Sequence, residues 1–235
     1  MENKREKLIV ALDLDGFSEA EKLIDLLLPV VKIFKVGSQL FTGSGPDIVR
    51  AINRRGAKVF LDLKFCDIPN TVARAVKSAA DLGVFMLTIH TLGARQMLKG
   101  AMRSLSAFDR SKRPIILGIT VLTSLDKDAL REIGINRPLS EQVISLAAMA
   151  KEEGLDGVVC SGRETGLVRR QFKNDFLIVT PGIRPAESAR DDQKRVITPS
   201  QAINKEGADY IVVGRPIIKA PDPLKAARLI LREME

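Results

Sequence analysis

The chain has 235 residues, a formal net charge of +8, two cysteines and one histidine. Two cysteines, Cys66 and Cys160, give no disulfide framework and fit a reducing cytoplasm, and no apolar run is long enough to cross a bilayer. The positive balance invites a nucleic-acid reading, but the basic residues are interleaved with acids, and one tyrosine with no tryptophan makes a poor stacking platform for bases.

In chain order, the polar residues 1–7 are expected to carry no signal peptide and lead straight into a strand. Eight β-branched or aliphatic runs follow: Leu8–Leu14, Ile33–Gly37, Lys58–Lys64, Met86–His90, Ile115–Thr120, Gly157–Ser161, Leu177–Ile183 and Tyr210–Ile217. Segments with helical periodicity separate them. Ser18 with Glu21 reads as a capping box ahead of Leu23, Leu26 and Leu27. Thr198-Pro199-Ser200-Gln201 carries a cap, a first-turn proline and a glutamine three residues past the cap; Asp222-Pro223 opens the last helix similarly. Gly83 and Gly154 fall where helices should end.

Strands alternating with helices over this length predict a single (β/α)8 barrel domain, a TIM barrel spanning 1–235. An open doubly wound sheet would want a glycine-rich loop after the first strand. Asp13-Leu14-Asp15-Gly16-Phe17 offers one glycine there, which favours the barrel. Two connections are long enough to carry extra function, Leu122–Arg137 and Arg184–Ile197.

The stretch Asp62-Leu63-Lys64-Phe65-Cys66-Asp67-Ile68-Pro69-Asn70-Thr71 ends the third strand. Alternation along a strand puts Asp62 and Lys64 on the face of Phe60. A carboxylate beside an ammonium on a mostly buried strand is costly unless the two are paired and used. Asp67 adds a second acid within reach of the lysine, although it also suits a helix N-cap. Asp13 and Lys35 end the first two strands on faces shared with Ile9, Ala11 and Ile33, so three neighbouring strands aim opposite charges at one barrel mouth. Active sites of such barrels lie at that end.

A second constellation ends the last two strands, Thr180-Pro181-Gly182-Ile183-Arg184 and Val213-Gly214-Arg215-Pro216. Glycine admits an anion to the backbone and arginine is a forked donor, so a phosphate site is expected there. Gln193 either reaches across as a neutral donor or is solvated. His90, alone, leaves no two-histidine metal site and reads as a hydrogen-bonded mouth residue. Cys66 reads as packing rather than as a nucleophile.

Asp62–Thr71, as Asp-x-Lys-x-x-Asp-Ile-Pro-x-Thr, together with Leu12-Asp13, Phe34-Lys35-Val36-Gly37, Leu122-Thr123-Ser124, Thr180–Arg184, Asp192-Gln193 and Val213–Pro216, resembles the orotidine 5′-phosphate decarboxylase family in its bacterial branch. The match runs nearly end to end and in order. The resemblance implies decarboxylation of orotidine 5′-monophosphate to UMP, the last step of de novo pyrimidine nucleotide synthesis, with Lys64 as proton donor. It implies that Asp62 faces the departing carboxylate and that Lys35 and Asp67 complete the charged chain. It also implies Asp13 and Lys35 on the ribose, Thr123 on the pyrimidine, Arg184, Gly214 and Arg215 on the phosphate, and Gln193 between phosphate and base. Ile68 and Pro181 would join the substrate contacts. A homodimer with Asp67 and Thr71 reaching into the partner's site is implied, as is the absence of any metal or organic cofactor. The rivals are a Mg²⁺-dependent sugar-phosphate decarboxylase or aldolase of the same barrel superfamily, and a non-catalytic phosphate- or nucleic-acid-binding barrel.

Overall fold

The computed structural model describes residues 6–109, 112–185 and 197–235. Eight parallel strands close on themselves in chain order: β1 (Leu8–Ala11), β2 (Ile33–Gly37), β3 (Lys58–Phe65), β4 (Met86–His90), β5 (Ile115–Ile119), β6 (Gly157–Val159), β7 (Leu177–Thr180) and β8 (Tyr210–Val213). The fold is a (β/α)8 barrel. Both faces of each strand are covered, which explains why the strands read as continuous apolar runs. Ile9, Ala11, Ile33, Phe60, Met86, Leu117, Val179 and Val212 fill the barrel interior. The intervening residues, such as Leu8, Val10, Phe34, Val59, Leu61 and Leu87, pack outward in a second core shared with the helices. The inward faces expected for Ile9, Ala11, Ile33 and Phe60 are thus found.

Several strands stop sooner than their apolar runs. β1 ends at Ala11, so Asp13 lies beyond the ladder, and β7 ends at Thr180 before a turn in which Gly182 takes φ 77°. β8 ends at Val213, and Ile217 belongs instead to a short helix, Arg215–Ile218. Hydrophobicity marks burial, and these residues are buried in turns and helices as well as in strands.

The helix Phe17–Leu27 corrects a second expectation. Its N-cap is Gly16 without a side-chain cap, and the Ala20 N–H already bonds the Gly16 carbonyl at 3.1 Å. Phe17, packed on the core, takes the first helical position, which leaves Ser18 inside the turn it was expected to cap. The other caps are formed. Thr198 N–H donates to Gln201 Oε1 at 3.1 Å while Gln201 N–H donates to Thr198 Oγ1 at 3.2 Å. The turn that follows, Gln201–Lys205, is a π-helix. Asp222 accepts from Lys225 N–H at 2.9 Å, opening Pro223–Glu233. Gly83 and Gly154, at φ 74° and 83°, follow the helices Pro69–Asp81 and Leu139–Glu152.

Acids just before two strands clip the barrel floor. Asp156 accepts from Ile116 N–H at 2.8 Å and from both terminal nitrogens of Arg113 at 2.7 Å. Asp209 accepts from Ile178 N–H at 2.8 Å and also binds Arg169. Charged hydrogen bonds of this kind contribute roughly 1.5–3 kcal/mol each. Asp156→Ala is expected to lower stability by at least about that amount, read as a lower denaturant midpoint at unchanged slope. An unchanged midpoint would deny the clip any structural part.

Candidate active site

The site begins with β2. Lys35 pairs with Ala11 on one side and Phe60 on the other, inside the barrel, and Gly37 is the next inward position, opposite Asp62. Because Gly37 has no side chain, the Lys35 ammonium rises through the space above it. A Cβ at Gly37 would lie 2.9 Å from Lys35 Nζ and 3.6 Å from Asp13 Oδ1. In that space Lys35 Nζ contacts Asp13 Oδ1 at 3.1 Å and Asp62 Oδ2 at 3.6 Å.

β3 then departs from regular geometry. Its ladder with β4 pairs Leu61 with Leu87 and resumes at Phe65 with Ile89, so Asp62, Leu63 and Lys64 stand opposite Thr88 alone. Lys64 takes φ 50°, in the left-handed region where non-glycine residues are uncommon. Simple alternation does not describe this stretch, but the bulge still delivers both charged groups to the mouth. Lys64 Nζ sits 2.9 Å from each oxygen of Asp62. The side chain of Thr88 closes the bulge: its hydroxyl donates to Asp62 Oδ1 and accepts from Lys64 N–H, both at 2.9 Å. Asp13, Lys35, Asp62 and Lys64 therefore form an unbroken row of alternating charge. Asp62 and Lys35 are nearly enclosed at 12% side-chain exposure each, while Lys64 at 38% reaches the opening.

This row borders a cavity at the barrel mouth, the end where barrels of this kind carry their sites. Lys35, Asp62 and Lys64 form its charged wall, and Thr123 and Pro181 line it with them. Ile119, Val121, Leu122, Val159, Cys160 and Val212 supply an apolar wall. Cys160 is fully buried, and burial pushes its thiol up to about 12, so it offers no thiolate. His90 stands at the end of β4 beside the row. Its Nδ1 accepts from Leu92 N–H at 3.3 Å, and burial first, then the Lys64 charge, holds its pKa below the ordinary value. It is a neutral, hydrogen-bonded mouth residue.

Other expected residues lie outside this cavity. Gly214 follows β8 directly, where a Cβ would meet Asp13 Oδ2 at 3.3 Å and Ala11 Cβ at 3.4 Å, so the missing side chain leaves room for the Asp13 carboxylate. Arg215 opens the next helix, and Arg184 is buried after β7 with Nη1 donating to the Ile183 carbonyl at 3.1 Å. None of Asp13, Arg184, Gly214 and Arg215 lines the cavity. Gln193 lies outside the described residues. Asp67 makes no ion pair with described residues of its own chain; its Oδ1 accepts from Ile68 N–H at 2.6 Å, so it neither pairs with Lys64 nor caps the helix from the N-cap position, which Ile68 holds. Asp67, Ile68 and Thr71 are exposed, Ile68 at 67%, and they do not line the cavity. Among the described residues, no group of three or more histidine, cysteine or acidic side chains is placed to hold a metal ion.

The Orotidine 5′-phosphate decarboxylase / HUMPS family model matches residues 6–230. The chain belongs to that family. A Geotalea daltonii protein named orotidine 5′-phosphate decarboxylase is 51% identical over 231 residues, covering 98% of this chain and 96% of the relative. A Moorella thermoacetica protein of the same name is 51% identical, covering 98% and 93%. The crystal structure of orotidine 5′-phosphate decarboxylase from Lactobacillus acidophilus superposes with a TM-score of 0.85 at 42% identity, covering 98% of this chain and 99% of that one. An uncharacterized conserved protein from Geobacillus kaustophilus gives 0.84 at 38% identity, covering 97% and 100%.

Thr88 is the site residue that sequence reasoning missed. Its signal was a hydroxyl in the middle of Met86-Leu87-Thr88-Ile89-His90, on the inward face with Met86. Gly37→Ala is expected to fold, because the atom it meets is the end of a flexible side chain, and to push Lys35 Nζ away from Asp13. A crystal structure of the variant with that contact still at 3.1 Å would contradict the role given to the gap above Gly37.

Proposed function

We propose that the protein decarboxylates orotidine 5′-monophosphate to UMP and CO₂, with Lys64 as the proton donor at C6. The observation that carries this reading is the Lys64 ammonium held 2.9 Å from both Asp62 oxygens on the wall of a cavity with one polar and one apolar side. Family membership and relatives bearing that activity in their names support it.

Loss of CO₂ from C6 leaves an electron pair that cannot spread into the ring π-system, and no organic cofactor is needed in this reading to receive it. Protonation of that carbon by a positioned acid contributes roughly 10²–10⁴-fold, whereas enzymes lower barriers by about 8–23 kcal/mol in all. Lys64 must therefore do more than give up a proton. Its fixed positive charge stabilises negative charge as it develops at C6, in a site already organised before substrate arrives. Asp62, on the same wall, would face the substrate carboxylate, and departure of CO₂ removes that repulsion. Asp13 and Lys35, joined at 3.1 Å, present an acceptor and a donor suited to ribose hydroxyls. Thr123 and Pro181 would flank the base. Gly214, Arg215, Arg184 and Gln193 would hold the phosphate, whose binding energy is spent in the transition state.

The chain is further proposed to act as a single barrel domain in the cytoplasm; no helix among the described residues is long and apolar enough to cross a membrane. Two copies would pair so that Asp67 and Thr71 complete each other's sites. The exposed run from Cys66 to Thr71 supports this, as does an Asp67 without an ion pair among described residues of its own chain. No nucleic acid or membrane partner is required.

The direct test is the fall in orotidine 5′-monophosphate absorbance on adding purified protein, with and without EDTA. Turnover indifferent to EDTA is expected, and EDTA-sensitive activity on a pentulose or hexulose phosphate would favour the rival enzyme. Lys64→Ala should fold and lose turnover, and Asp67→Ala should lose most of it. Mixing these two variants should restore about one quarter of wild-type activity, because half the dimers of a two-fold pair are hybrids with one intact site. Full activity in Lys64→Ala would refute the proton donor; no recovery on mixing would refute the shared site.

A further inference from the structure

The bulge in β3 raises a question that the charged row does not answer: what holds Lys64 in an uncommon backbone conformation while its ammonium is aimed at Asp62. Backbone in the left-handed region is unfavourable for a non-glycine residue, so it persists only where its surroundings over-determine it. The bulge also takes Asp62, Leu63 and Lys64 out of regular pairing with β4, and the Lys64 N–H must then find a partner elsewhere.

We infer that Thr88 is a positioning residue for the proton donor, setting Lys64 and Asp62 relative to each other through one hydroxyl. Thr88 is fully buried on the inward face of β4, opposite the bulge. Its Oγ1 accepts from the Lys64 N–H at 2.9 Å, which fixes the backbone from which the ammonium extends. The same hydroxyl donates to Asp62 Oδ1 at 2.9 Å, which fixes the carboxylate plane that the ammonium straddles. The single hydroxyl hydrogen is committed to Asp62, so the lone pairs are free to receive the Lys64 N–H. One side chain thus restrains both ends of the catalytic ion pair without touching the cavity itself. A β-branched residue suits the task, since its χ1 is stiff.

The inference rests on the decarboxylase reading, and its test separates the two. Thr88→Val keeps shape and branching but removes the hydroxyl; Thr88→Ser keeps the hydroxyl. With orotidine 5′-monophosphate, Thr88→Val should lower kcat by roughly 10- to 100-fold, the scale of a misplacement near 1 Å. Its affinity for UMP, measured by calorimetry, should stay within about threefold of wild type, since phosphate and ribose contacts are made elsewhere. Thr88→Ser should recover most of kcat. Hydrogen exchange at the Lys64 amide reads the geometry without turnover: slow in wild type and Thr88→Ser, faster in Thr88→Val. If Thr88→Val keeps wild-type kcat, or if its Lys64 amide stays as protected as in wild type, the inference is overturned and the decarboxylase reading stands. If wild type itself leaves the substrate intact, that reading fails, and amide exchange alone decides the role of Thr88. Should Thr88→Val not fold, Thr88→Ala carries the same comparison, with recovery in Thr88→Ser as the discriminating result.

Discussion

The ion pair between Asp62 and Lys64 is the constraint around which the barrel mouth is arranged. Separating buried charges from water is expensive, and a pair repays it only with good geometry and further hydrogen bonds. Here the further partners are present: Lys35 on one Asp62 oxygen, the Thr88 hydroxyl on the other, and Asp13 behind Lys35. Each has a structural condition. Lys35 reaches Asp62 because Gly37 leaves its path open, and Lys64 straddles Asp62 because the strand bulges opposite Thr88. Sheet pairing, a glycine and one buried hydroxyl thus converge on the position of a single ammonium.

Such a site suits a reaction whose difficulty is charge rather than bond geometry. An ammonium free in water would reorient its solvent as a carbanion formed; one fixed by three strands has nothing to reorient. The row of alternating charges also keeps the wall near neutrality in each chain, with Asp13 and Asp62 against Lys35 and Lys64. In the dimer reading, the partner's Asp67 would add a further negative charge, and a carboxylate-bearing substrate would be bound despite that charge, through its remote phosphate. The apolar wall opposite, with Ile119, Val121 and Val159, would exclude water from the base.

Much of this was legible in the residues. The inward faces of β1, β2 and β3 follow from alternation, and they correctly carried Asp13, Lys35 and Asp62 to one end. The reciprocal cap at Thr198 and Gln201 was readable because both side chains act on their own helix start. The spacing around Ser18 predicts a cap that does not form, because a helix starts where a neighbour such as Phe17 packs, which spacing does not encode. The bulge was hidden for a related reason. Nothing in Asp62-Leu63-Lys64 states how many residues β4 will set against it, so the lysine's backbone and its dependence on Thr88 emerge only from pairing. The residues alone leave Asp67 as an acid within reach of Lys64 or a helix N-cap, and within its own chain the structure turns it to neither, toward the exposed helix start at Ile68. In the dimer reading, where Asp67 would serve a second copy, one chain's periodicity carries no sign of that role.

A crystal structure of the protein with UMP bound tests the central claim most directly, since the product leaves C6 where the proton has just arrived. The account predicts Lys64 Nζ within about 3.5 Å of C6, the distance of a near-attack contact, with the ribose at Asp13 and Lys35 and the phosphate at Arg215. A pyrimidine bound with C6 turned away from Lys64, or a phosphate seated far from Gly214 and Arg215, would contradict it.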